Sequence, residues 1–102
     1  MSEPVIVIAR AQVGPESRAR FIVAAKDCIA ATRREPGCMS YDMHESVSEI
    51  GHFVFVETWR SRADVDRHMA EPHLQAFLNI AGTCVTAAPV IEVVEPRSVD
   101  RL

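Results

Sequence analysis

The 102-residue chain has no apolar run near the roughly 20 residues that a membrane span needs; its longest, such as 5–9 and 53–56, have the length of strands. No membrane partner is expected. Met1-Ser2-Glu3-Pro4 gives neither a basic start nor an apolar secretory core, so a cytoplasmic, soluble protein is the expectation. Cysteine is scarce and odd in number. Cys28, Cys38 and Cys84 lie in no CxxC pair, which argues against a disulfide framework or zinc knuckle and leaves buried thiols. The four glycines, Gly14, Gly37, Gly51 and Gly82, are isolated, so neither GxGxxG nor GxxxxGK[ST] can be written and nucleotide cofactors are not expected. A GxSxG elbow is missing too. His44, His52, His68 and His73 form no HExxH, and no metal site is expected. The net charge of −3, with both signs interspersed, leaves no basic footprint for nucleic acid.

What is present fits one domain over residues 1–102, with a core over about 5–95, because a chain of this size supports a single hydrophobic core. Residues 4–13 are rich in β-branched side chains and end at Gly14-Pro15, predicting a strand followed by a helix start. A helix is predicted over 16–34, with Phe21, Ile22, Cys28 and Ile29 on its apolar stripe and Pro36-Gly37 beyond its end. Residues 38–45 and 52–59 read as an antiparallel hairpin with a longer polar loop. Ser61-Arg-Ala-Asp64 resembles a helix cap. The helix it opens is predicted to break near Pro72 and resume through Leu74, Phe77, Leu78 and Ala81. A last strand, 89–95, precedes a polar tail.

Strand, helix, two strands, helix, strand is the ferredoxin-like α+β order, a βαββαβ sandwich with helices on one face of a four-stranded sheet. A one-sided sheet alternates apolar with polar residues, yet 5–9, 53–56 and 90–94 are apolar at nearly every position. Both faces are therefore expected to be buried, the second by another copy of the chain across roughly 2,000 Å² or more.

By period two, Phe53, Phe55, Glu57 and Trp59 share one face of their strand. If that face meets the helices, a carboxylate and an indole lie near Val65, His68 and Met69, an arrangement suited to a small-molecule pocket. Plainer readings stand beside each residue. Trp59, Tyr41 and Phe77 suit a core; Glu57 can pair with an arginine; His68 can be a half-buried helix histidine. His73, after Pro72, suits a helix start, and Arg10 an edge or interface as readily as a ligand anchor.

Three segments taken together carry a resemblance: Arg33-Arg34-Glu35-Pro36-Gly37-Cys38-Met39-Ser40-Tyr41, Glu57-Thr58-Trp59, and His68 with Pro72-His73-Leu74-Gln75-Ala76-Phe77. The chain resembles the antibiotic biosynthesis monooxygenase family, nearly end to end from Val5 to Glu95. The resemblance implies a dimeric α/β-barrel-type assembly of ferredoxin-like subunits, each with a pocket between sheet and helices. It also implies oxidation of a quinol-like or phenolic ring by O₂ without metal or flavin. Removing a proton makes such a ring electron-rich enough to reduce oxygen itself. On this basis His68 is expected to accept the proton, Trp59 to wall the ring and His73 to assist. Glu57, Tyr41, Phe55, Phe77, Met69 and Arg10 are expected to contact substrate. Similar haem-degrading proteins use a first-strand Asn and a haem-ligating His, where this chain has Ala9-Arg10 and Phe77-Leu78, so haem degradation is not expected. A non-catalytic binder of small aromatics and an isomerase are the alternatives on the same fold.

Overall fold

A computed structural model describes residues 3–102. Strand β1 (Val5–Gln12) is followed by a short 3-10 turn (Pro15–Ser17) and helix α1 (Arg18–Thr32). Strands β2 (Cys38–Glu45) and β3 (His52–Trp59) form the expected hairpin, helices α2 (Arg62–Met69) and α3 (Pro72–Ala81) follow, and β4 (Val90–Val94) closes the order. All pairings are antiparallel, in the sheet order β2-β3-β1-β4. This is the ferredoxin-like α+β fold.

The helix ends follow from local chemistry. Ser61 caps α2, its Oγ accepting from the Asp64 backbone N–H at 3.2 Å and donating to Asp64 Oδ2 at 2.9 Å. The break expected near Pro72 is a clean division into two helices: Pro72 takes the first position of α3, where its missing N–H costs nothing. After α1 the chain turns through Gly37 at φ +86°, and a Cβ there would collide with the Asp64 carboxylate. That carboxylate also takes Arg67 at 2.9 Å and Arg60 at 3.3 Å. The turn at 33–37 is thereby locked onto the start of α2.

Register divides the sheet into two unlike faces. Val5, Val7, Tyr41, Phe53, Phe55, Glu57 and Trp59 point to the helices and are buried. Ile6, Ile8, Val54 and Val56 point the other way; in the single chain that face is open, with Val56 39% exposed. Every residue of β4 is exposed, Val90 to 53%. The expected burial of both faces is thus absent from one chain taken alone. Among the described residues no helix is long and apolar enough to cross a membrane.

Candidate active site

A cavity of about 260 Å³ lies between the helix-facing side of the sheet and the helices. Val7 and Ala9 of β1 with Phe55 and Glu57 of β3 form its floor, and Tyr41 of β2 borders it. Val65, His68 and Met69 of α2, then Leu74, Phe77 and Leu78 of α3, form the opposite wall. Ile91 and Val93 of β4 complete one side, with Arg62 and Asp66 among the few charged residues bordering it. An apolar cavity of about 150 Å³ can accommodate benzene, so this one has room for a single ring or a small fused one. Its shape arises from strand period: alternate residues of β1 and β3 must face the helices, and small Ala9 stands where a larger side chain would fill the space.

Among the titratable side chains around the cavity, Glu57 and His68 are buried in its apolar lining. Glu57 is buried, with Oε1 accepting from the Trp59 indole N–H at 2.9 Å. Burial pushes its carboxyl up to about 7, against the opposing pull of that hydrogen bond. His68 is buried between aromatic rings, with centroids 4.8 Å from Trp59 and 5.3 Å from Tyr41. Burial moves its pKa down from the ordinary 6.5, and Glu35 opposes the shift. An acid pushed up and an imidazole pushed down face one apolar space, which provides a proton donor and a neutral acceptor near pH 7. Burial and neighbouring carboxylates also hold the Tyr41 phenol well above its usual range, so it stays protonated. The thiols are not activated: burial raises Cys28, and Cys38 is pushed up to about 11.

Behind His68 lies Glu35, in the turn after α1. A single oxygen, Oε2, is 2.7 Å from His68 Nδ1 and 2.6 Å from His73 Nε2. Glu35 and His68 are nearly enclosed, while the His73 side chain is 24% exposed. These donors are the one group among the described residues with the composition of a metal site, and all lie within 4.8 Å of one another. Ligands on a common ion at about 2.0–2.2 Å from each sit about 3 Å or more apart. The separations here are those of hydrogen bonds, and the residues are satisfied without an ion.

The chain matches the family described as antibiotic biosynthesis monooxygenase over residues 4–79. It belongs to that family. The "Putative monooxygenase Rv0793" of Mycobacterium tuberculosis is 35% identical over 96 residues, 94% of each chain. The solved structure of Rv0793 superimposes with a TM-score of 0.88 at 33% identity, covering 97% of this chain and 100% of that one. A Synechocystis protein, "Uncharacterized protein sll1783", is 36% identical over 76 residues, 74% of this chain; the match spans 52% of that relative, about half its length.

Against the expectations for a family member, the structure brings His68, Glu57, Tyr41, Phe55, Phe77 and Met69 to one cavity. Trp59 does not line it. Its side chain is wholly buried behind Glu57 and His68, because it ends β3 beneath α2. Glu57 pairs with that indole rather than with an arginine. His73 is likewise outside the lining, on the far side of Glu35. Arg10 borders the cavity, but its register opposite Val54 and Val90 places the side chain on the open face, where it pairs with Glu92 at 2.7 Å. Glu35 had no role assigned from sequence. Its only signal was its place in the Glu35-Pro36-Gly37 turn.

Proposed function

We propose that this chain is a monooxygenase that oxidises a phenolic or quinol-type ring with O₂, the ring itself supplying the electrons. The observation that carries the reading is a buried imidazole, His68, and a buried carboxyl, Glu57, lining the same apolar cavity, where burial favours the neutral form of each. The family and the monooxygenase name of its relative supply the reaction class. His68 takes the hydroxyl proton; the apolar walls keep the ring anion from water, raising its tendency to give electrons to oxygen. For a simple quinol, one O₂ gives a hydroxyquinone and one water, a balance that needs no external reductant. Glu57, mostly protonated below about pH 7, can donate to the oxygen that leaves. No dedicated metal or flavin is required by this scheme. A second copy of the chain covers the open sheet face in the same reading, since water penalises exposed apolar surface by about 25 cal/mol per Å².

Oxygen-electrode screening of metal-free protein against quinols and polycyclic phenols, with ¹⁸O₂ label followed into product, tests the reaction. Ring binding with no oxygen uptake would instead select a binder, and turnover under nitrogen an isomerase. With a confirmed substrate, His68→Gln is expected to lose roughly 10² to 10⁴ in turnover while the fold and ring binding persist. Parental rates in that variant from pH 5 to 9 would remove His68 as the base.

A further inference from the structure

We propose that Glu35 and His73 are positioning residues that hold His68 in one tautomer, with Nδ1 protonated and the lone pair on Nε2 available to the cavity. The inference deepens the proposed function, resting on its assignment of His68 as base, and starts from the shared oxygen. A carboxylate oxygen can only accept hydrogen bonds, so each imidazole must present an N–H to Glu35 Oε2. His68 then donates from Nδ1 at 2.7 Å and His73 from Nε2 at 2.6 Å. With Nδ1 committed, a neutral His68 carries its basic pair on Nε2, the nitrogen left for the cavity that it lines.

The support for Glu35 is itself fixed. Its backbone N–H donates to Thr32 O at 2.9 Å, its carbonyl accepts from Cys38 N–H at 3.2 Å, and Arg60 N–H donates to Gly37 O at 2.8 Å. The neighbouring Gly37 is packed on the Asp64 carboxylate. Trp59 and Tyr41 confine the His68 ring from two sides. His73 reaches Oε2 from the solvent side and restricts water's access to it. Glu35 also favours the imidazolium that forms when His68 accepts a proton.

The experiment uses the full chain and 4-nitrophenol under nitrogen, at a pH where the free probe is neutral, because its ionisation is visible without any oxygen chemistry. Bound to the parent protein, the probe should show a larger nitrophenolate fraction than when bound to His68→Gln. In Glu35→Gln it should bind within about threefold of the parent affinity, yet its ionised fraction should fall about tenfold. His73→Gln, which can still donate to Oε2, should retain parental behaviour, whereas His73→Leu should lose part of the ionisation. Nitrogen-15 NMR of His68 in the parent should show a pyrrole-type Nδ1 and a pyridine-type Nε2, and Glu35→Gln should populate the other tautomer. Equal probe ionisation in the parent and a folded Glu35→Gln, or a parent His68 protonated at Nε2 when neutral, overturns the proposal. Should Glu35→Gln fail to fold, the parent tautomer and the His73 pair decide. Failure of every quinol to consume oxygen would sink the oxygenase reading and leave this test untouched.

Discussion

Strands β3 and β4 have similar apolar sequences and opposite fates. On β3, Phe53, Phe55, Glu57 and Trp59 are each at most 5% exposed, whereas all five residues of β4 are exposed. The difference is position. Helices cover β3 inside the sheet, while β4 is an edge strand, paired only with β1. Apolar composition thus records where cover is needed, and geometry decides whether one chain supplies it. The catalytic proposal depends on the covered strand, and the second-copy proposal on the uncovered one.

The harshest way to break the contrast is on the covered side. Trp59→Ala removes a wholly buried indole, and large aromatic deletions cost about 3–5 kcal/mol. Chemical denaturation should show a loss of that size together with loss of ring binding, because the Glu57 hydrogen bond and the packing of His68 go with it; an unchanged midpoint would mean that Trp59 is not the floor of the core.

A change of pH probes the same strand without removing atoms. Glu57 has an ordinary pKa of 4.5, raised to about 7 in the fold, so the folded chain binds more protons than the unfolded one between those values. Its contribution is fully present below pH 4.5 and is lost as pH rises to about 7. Linkage puts that loss on the order of 3 kcal/mol. Glu57→Gln should flatten this part of the stability profile, and an identical slope in parent and variant would contradict the raised carboxyl.

On the open face, Val56→Glu should leave the single chain's fold nearly intact but weaken self-association by about 100-fold, equivalent to about 2.7 kcal/mol. Light scattering across a dilution series reads this directly. A parent protein that stays a folded 11.3 kDa species at all concentrations would end the second-copy proposal. The smallest effect is expected at the Arg10–Glu92 pair, whose side chains are more than half exposed. Arg10→Ala should change the folding stability of the dilute chain by less than about 0.5 kcal/mol. A loss well above that would show that this edge is covered even in dilute solution.

Much of this contrast could be read in advance. The hairpin strands were legible from start to end because turn residues bracket β-rich runs, and period two placed Glu57 on the same side as Phe55. The N-terminal helix was expected to begin at residue 16, but Pro15 first makes a 3-10 turn and α1 starts at Arg18. Helix phase brought His68 inward correctly. It could not say which ring nitrogen meets Glu35, nor that Trp59 lies behind the ring. Arg10 was ambiguous for a different reason: strand period gives a side chain two directions, and the choice between them needs the pairing partners. Glu35 was beyond reach, since no periodicity assigns direction to a side chain in a turn and its two partners stand 33 and 38 residues away.

Those separations bear on the order of folding. The hairpin of β2 and β3 joins neighbours in sequence and can form early, but the contacts of Glu35 with His68 and His73 close long loops, and their chain entropy must be offset by the surrounding core. The three side chains are therefore expected to meet after the hairpin, but before β1 pairs with β4, whose partners stand 80 or more residues apart. A partly folded chain that has gathered its aromatic residues but not yet joined these three side chains would lack an oriented base, so the proposed reaction would wait for that step.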